Sequence, residues 1–323
     1  MPDVELSFLA YLRGRCRSLP SIHLGIGDDA AAITPNEKLQ LSCTDQIIDG
    51  VDFLSSEHAL KDVGYKSVAI NVSDIAAMGG IPKAALVTLT LPVENSTKIA
   101  GEVYEGILEA SKKYDIAIAG GDISTYDGPL AINVCLLGEV AENKIWRRSG
   151  ASENQAIMIT GAVGGSLLRR HLRPEPRIEL AQELQTLVEV TAAIDISDGL
   201  SLDLDRLCAA SGVGAELYTD RIPIHSDATK LSESSGRSPF QHAWSDGEDF
   251  ELLLTMSQQD ADLIALQRPD LGVTQIGTTV GRTGLWRKHD RKLERLPPQG
   301  YMHQGTTNTD NQANIKQNET SKK

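Results

Sequence analysis

The sequence predicts a two-domain α/β protein, and three observations carry that expectation. Its 323 residues are about twice the ~150 of an average domain. Strand-like and helix-like segments alternate along the chain, and the order of elements begins again after about residue 145. The expected division is residues 1–145, residues 146–302, and a polar, disordered tail over 303–323 that is rich in Asn, Gln, Thr and Lys and almost devoid of apolar side chains.

In chain order, Leu6, Leu9 and Leu12 fall at helical spacing and predict a short amphipathic helix. Residues 39–44 alternate as a strand does and lead into Asp45. Small and apolar residues at helical spacing predict a helix from Lys66 to Met78, stopped by Gly79-Gly80. Ala84 to Leu91 reads as a strand closed by Pro92, Glu94 to Tyr114 as a long amphipathic helix, and Ile116 to Ala119 as a buried strand ended by Gly120-Gly121-Asp122. A further strand spans Leu130 to Val140. In the second half, Ala156 to Thr160 is a strand running into a glycine-rich turn, and the two prolines between His171 and Arg177 predict extended backbone. Then come a helix from Ile178 to Val190, a strand from Ala192 to Ile196, a helix from Gly199 to Ser211, a strand from Glu251 to Thr255 and a helix from Asp260 to Gln267.

Composition narrows the function. With 31 Lys+Arg against 44 Asp+Glu, the net charge of −13 lacks the basic footprint that a nucleic-acid binder needs. No apolar run approaches a membrane span, and the opening residues lack the basic-then-apolar order of a signal peptide, so the expectation is a cytoplasmic protein. The 4 cysteines lie far apart without a C-x-x-C pair, and the 7 histidines are scattered, so neither a disulfide framework nor a zinc site is expected.

The carboxylates are placed unevenly. They recur beside small residues where strands are expected to end or helices to begin: Gly27-Asp28-Asp29, Thr44-Asp45, Ser73-Asp74, Gly121-Asp122, Asp195-Ile196-Ser197-Asp198 and Gly247-Glu248-Asp249. A carboxylate at a strand end of an α/β sheet points where ligands bind. Taken singly, each is more readily a turn former or N-cap than a ligand, Asp198 above all for the helix that follows it. Taken together, they predict a site. Two charges ~4 Å apart repel by about 4 kcal/mol at an effective dielectric near 20, so convergence requires protonation or divalent cations. Oxygen-only ligands select hard ions, and Mg²⁺ is the usual one where phosphates also bind. No G-x-x-x-x-G-K-[ST], H-R-D, D-F-G or G-x-S-x-G motif is present. Phosphates would therefore be held by metal ions and backbone amides, with Arg148 the best-placed cation unless it is a surface arginine between the domains.

These motifs, in this order, resemble the thiamine-monophosphate kinases, a family related to aminoimidazole ribonucleotide synthetase and selenophosphate synthetase. The resemblance spans residues 1–302 and rests on Gly25 to Ala31, Thr44-Asp45 with Gly50 and Phe53, Asn71 to Gly79, Gly120-Gly121-Asp122, Arg148 to Ala151, Ala193 to Leu200, Gly247 to Leu252, and Gly300-Tyr301-x-His303. It implies an α/β N-terminal domain joined to an α+β C-terminal domain, and a homodimer paired through the N-terminal sheets. It also implies direct, Mg²⁺-dependent phosphorylation of thiamine monophosphate by ATP. Carried over by motif, Asp122, Asp45 and Asp74 are the catalytic residues. Asp29, Cys43, Thr44, Asp45, Asp74, Asp122, Asp195 and Asp198 are the expected metal ligands, and Tyr104, Gly121, Asp122, Arg148 and Ser197 the nucleotide contacts. Asp52, Glu248 and Tyr301 are the expected acceptor contacts. Three positions depart from the family pattern: Cys43 stands for the usual Ser, Asp52 for a His, and Gln304 for an aromatic residue. A different phosphorylated acceptor, a non-catalytic nucleotide- or thiamine-binding protein, and metal-dependent hydrolysis are the competing readings.

Overall fold

The computed structural model describes residue 15 and residues 22–24, 32–33, 38–289 and 292–302. The helix expected at Leu6–Leu12, the turn carrying Asp29 and the tail from His303 lie outside them.

The first half of the chain runs β1 (Ile22–Leu24), β2 (Ala32–Ile33), β3 (Leu39–Ile48), α1 (Leu60–Ala77), β4 (Ile81–Pro92), α2 (Ser96–Lys113), β5 (Ala117–Tyr126) and β6 (Ala131–Val140). The second runs β7 (Ala156–Ile159), α3 (Ile178–Leu187), β8 (Val190–Asp195), α4 (Leu200–Ser211), β9 (Gly214–Leu217), α5 (Ser226–Ser235), α6 (Pro239–Ser245), β10 (Leu252–Met256), α7 (Gln258–Gln267), β11 (Thr274–Val280), β12 (Gly284–His289) and β13 (Lys292–Leu296). Strands β3-β6-β4-β5 form a four-stranded sheet, and β13-β12-β9-β11-β7-β10-β8 a seven-stranded one. Both are mixed: β4 pairs β5 in parallel across the α2 crossover, and β9 pairs β12 in parallel.

Helix α1 sits at the centre of the molecule. Val63 to Ser73 is buried without interruption, so the helix has no solvent face, as its small and apolar residues on every side require. It packs on α2 and on one face of the four-stranded sheet, where Val68, Val72 and Ile75 meet Val87, Leu89, Ile132 and Val134. Its last turn, Ala76 and Ala77, joins a second cluster with Trp146, Met158, Leu184 and Leu254. Side chains alternate across β3: Leu41 and Ile47 are buried toward α1, while Ser42, Thr44 and Gln46 are exposed on the other face. That outer face is covered by nothing among the described residues and also carries Leu86, 36% exposed.

Several sequence expectations are corrected. Strand β3 continues three residues past Asp45, and β5 runs through Gly120-Gly121-Asp122 to Tyr126, so neither Asp45 nor Asp122 ends a strand. The diglycine is a site of close strand approach rather than a stop: a Cβ on Gly121 would lie 1.8 Å from the Val87 carbonyl oxygen. Helix α1 begins at Leu60, six residues before the expected Lys66, with no side-chain cap at Ala59 to mark it. The stretch expected to be extended from His171 opens with a 3₁₀ turn at Arg170–Leu172.

Candidate active site

Three carboxylates from three elements converge beside the edge strands of the two sheets, β3 and β8, and the end of α1. Asp45 comes from mid-β3, Asp74 from the penultimate turn of α1, and Asp195 is the last residue of β8. A cavity of about 270 Å³ opens here, lined by Cys43, Asp74, Met78, Arg148 and Asp195 among others. Ser73, beside Asp74, donates from Oγ to Asp195 Oδ2 at 2.7 Å and ties α1 to β8.

Burial, then the neighbouring Asp195 charge, pushes Asp45 up to about 6. Burial, then Asp195 and Asp45, pushes Asp74 up to about 8, against the opposing pull of Cys43 and Arg148. Asp195 is raised by its burial, with Ser73 and Arg148 working the other way. The cluster therefore holds more negative charge than it can neutralise itself, and among the described residues Arg148 is the one cation lining the cavity. Among the described residues no group of three His, Cys, Asp or Glu forms a ready-made metal cage. The donor chemistry nonetheless fits Mg²⁺, which is usually held by one or two carboxylates plus waters and substrate phosphates.

Not every predicted residue converges here. Thr44 lies between Cys43 and Asp45 on the opposite face of the sheet, where Asn133 Nδ2 donates to its hydroxyl at 3.2 Å, so only its main chain faces the cluster side. The Cys43 thiol is pushed up by burial and by Asp74 and Asp45, stays protonated, and lies 3.5 Å from the Asn71 carbonyl oxygen. It is a weak donor there rather than a thiolate ligand. Tyr104 is buried in the core at 3% exposure and does not line the cavity. Asp122 is exposed on β5, in register with Thr88. Strands β5 and β3 are opposite edges of the sheet, three strand spacings or about 14 Å apart, so Asp122 and Asp45 do not meet within one chain.

The turn after β8 organises the neighbouring lobe. The N–H groups of Ser197, Asp198 and Gly199 all donate to Asp203 Oδ2, at 3.1, 2.9 and 3.1 Å. The helix terminus is thus satisfied from within α4 by Asp203, not by the expected N-cap Asp198, whose carboxylate instead pairs with Arg206. Carbonyls of the same turn hold the acceptor candidates: Glu248 N–H donates to Ser197 O at 2.7 Å and Tyr301 N–H to Asp198 O at 2.9 Å. Asp52 turns its carboxylate back onto its own loop, where Oδ2 accepts from Ile48 N–H at 2.8 Å. Asp203 carries no glycine or strand-end mark in the sequence, and the burial of Lys66 is invisible until α1 is packed on every side, so neither is legible as a site residue from the sequence.

Two family matches cover most of the chain: the AIR synthase related protein N-terminal domain over residues 27–140 and the corresponding C-terminal domain over 141–287. The chain is 57% identical over 309 residues to the thiamine-monophosphate kinase of Rhodopirellula baltica, covering 93% of this chain and 97% of that protein. The chain belongs to the thiamine-monophosphate kinase family. It is 33% identical to the thiamine-monophosphate kinase of Bacillus subtilis, over 88% of this chain and 94% of that one. The structure of AaThiL complexed with AMPPCP and TMP superposes with a TM-score of 0.74 at 32% identity, covering 86% of this chain and 91% of that chain. Escherichia coli HypE, a hydrogenase maturation protein, shares the fold alone, with a TM-score of 0.75 at 18% identity. The two-domain architecture expected from the sequence is thus the architecture of this family.

Proposed function

We propose that this chain phosphorylates thiamine monophosphate to thiamine diphosphate at the expense of ATP, at the cluster of Asp45, Asp74 and Asp195. The observation that carries the reading is the convergence of these buried, mutually repelling carboxylates beside Arg148, in a member of this family. Asp45, Asp74 and Asp195 would hold Mg²⁺ ions, with Asp29, Asp122 and Asp198 as further ligands. The ions supply charge neutralisation for the phosphates.

In the reaction, an acceptor phosphate oxygen bonds to the γ-phosphorus of ATP, the β–γ bridging P–O bond breaks, and ADP leaves with that electron pair. The acceptor is already largely ionised at neutral pH, with a second pKa near 6, so no strong general base is required. Positioning and charge neutralisation supply the catalysis. Arg148 is suited to the nucleotide phosphates, with Ser197 and Gly121 as further nucleotide contacts, and Glu248 and Tyr301 to the acceptor. Asp52 turns one carboxylate oxygen, Oδ2, onto Ile48 N–H at 2.8 Å, so that oxygen is engaged by its own loop rather than aimed at an incoming phosphate.

A homodimer completes the site in this reading. The outer face of the four-stranded sheet, uncovered among the described residues, supports pairing, and pairing through it would let a second copy supply Asp122. A cytoplasmic location suits an ATP-consuming reaction and the unpaired Cys43, Cys135 and Cys208. No helix among the described residues is long and apolar enough to cross a membrane.

The test is product analysis with ATP and Mg²⁺, with and without thiamine monophosphate. Thiamine diphosphate and ADP should form in equal amounts, with little ADP when the acceptor is omitted. No thiamine diphosphate at saturating Mg²⁺, or equal ADP release without acceptor, contradicts the proposal.

A further inference from the structure

Lys66 is fully buried in the middle of α1, with 0% exposure. Its Nζ donates to Glu248 Oε1 at 2.6 Å and to the main-chain oxygen of Asp52 at 3.1 Å. An ammonium in such a place is costly unless paired and hydrogen-bonded, and both partners come from loops outside its helix. One is the Asp49–Phe53 loop after β3; the other is the Gly247–Phe250 loop before β10, from the other half of the chain. His171, from the 3₁₀ turn over α1, also faces the ammonium. Burial first, and then Lys66 and His58, holds His171 down to about 4, so it stays neutral, and its Nδ1–H donates to Ser166 O at 3.0 Å.

The loop that Lys66 grips is strained. Glu248 and Phe250 adopt φ of 61° and 54°, the left-handed region that non-glycine residues avoid. Such residues cost about 1–3 kcal/mol each and persist only where their surroundings over-determine them. Two anchors do so here. Phe250, at 4% exposure, is inserted among Val63, Ile70 and other residues of the first core, and Lys66 fixes Glu248 two residues earlier. Lys66 contacts Glu248 through Oε1, which leaves the Oε2 edge of the carboxylate open to a further donor, and the glutamate side chain is 27% exposed.

We propose that Lys66 is the positioning residue of the acceptor site. It fixes Glu248 and the Asp49–Phe53 loop in one arrangement, so that the free edge of the Glu248 carboxylate meets the cationic or amine-bearing part of the acceptor. The proposal rests on the reading of thiamine monophosphate as acceptor and on Glu248 as its contact.

The experiment compares wild type with Lys66→Met, Glu248→Gln and the double variant in steady-state kinetics for each substrate. Lys66→Met should raise KM for thiamine monophosphate at least tenfold, with kcat and KM for ATP within about threefold. The double variant should be no worse than the more impaired single, since both act through one contact. Fold-losses that multiply in the double variant, or equal rises in KM for both substrates, overturn it. Should Lys66→Met fail to fold around an unpaired Glu248, the double variant lacks both charges; a wild-type KM for thiamine monophosphate in it also overturns the proposal. Amide hydrogen exchange on the free protein separates this proposal from the functional reading. Lys66→Met should speed exchange at residues 49–53 and 246–250 at least tenfold. Unchanged exchange refutes the clamp even if thiamine diphosphate is made. Faster exchange in a protein that makes none keeps the clamp and refutes the acceptor.

Discussion

Asp74 is where stability and function pull apart. Its folded-state pKa lies above the 3.8 of a free aspartic acid, at about 8, and that of Asp45 at about 6, because burial and neighbouring carboxylates disfavour the charged forms. The folded chain therefore holds protons that the unfolded chain releases. Their stabilising contribution is complete below about pH 4 and is lost as pH rises through about 6 and then 8. In chelator-treated protein, Asp74→Asn should match wild type in stability near pH 4 and exceed it increasingly toward pH 8.5. Each kcal/mol relieved raises Tm by about 2–4 °C. Thermal unfolding across that range measures the difference, and a variant less stable than wild type at pH 8.5 contradicts the electrostatic account. The sign of this effect follows from three acids meeting in space; nothing in the local sequence around Ser73-Asp74 displays it.

The contact of α1 with α2 depends on glycine. A Cβ on Gly106 would lie 1.7 Å from the Lys61 carbonyl oxygen and 2.6 Å from Tyr65 N, so the helices must part to accept it. Gly106→Ala should cost about 1–3 kcal/mol despite alanine's better helix propensity, read as a fall in Tm. An unchanged or higher Tm would show that the helices separate freely. The same effect explains how far the elements could be read. Long segments with strong periodicity, such as α2, β4 and β6, lie close to their expected places because their apolar faces meet a single core. The start of α1 and the far halves of β3 and β5 were hidden, because glycine or a carboxylate within an element reads as punctuation until its packing partner is known. Elements β9 and α6 carry too few residues for periodicity to register, and α5, though ten residues long, buries only Ala228 and so shows no apolar stripe.

Across the whole molecule, the acidic motifs announced a site, and Asp45, Asp74, Asp195 and Arg148 do come together. Asp122 belongs to the same motif series and lies at the other edge of its sheet, a separation set by strand order β3-β6-β4-β5 that no spacing along the chain encodes. Mixing Asp74→Asn and Asp122→Asn chains tests whether a second copy supplies it. If Asp122 acts between chains, random reassociation should restore about a quarter of wild-type turnover, since half the dimers regain one of two sites; if it acts within a chain, none returns. The most direct measurement of the central claim follows the transferred phosphoryl group itself. With γ-labelled ATP, Mg²⁺ and thiamine monophosphate, wild type should place the label in the terminal phosphate of thiamine diphosphate. Folded Asp74→Asn protein should lose that product by at least a hundredfold. Label released only as inorganic phosphate, or labelled thiamine diphosphate formed by Asp74→Asn at the wild-type rate, would contradict it.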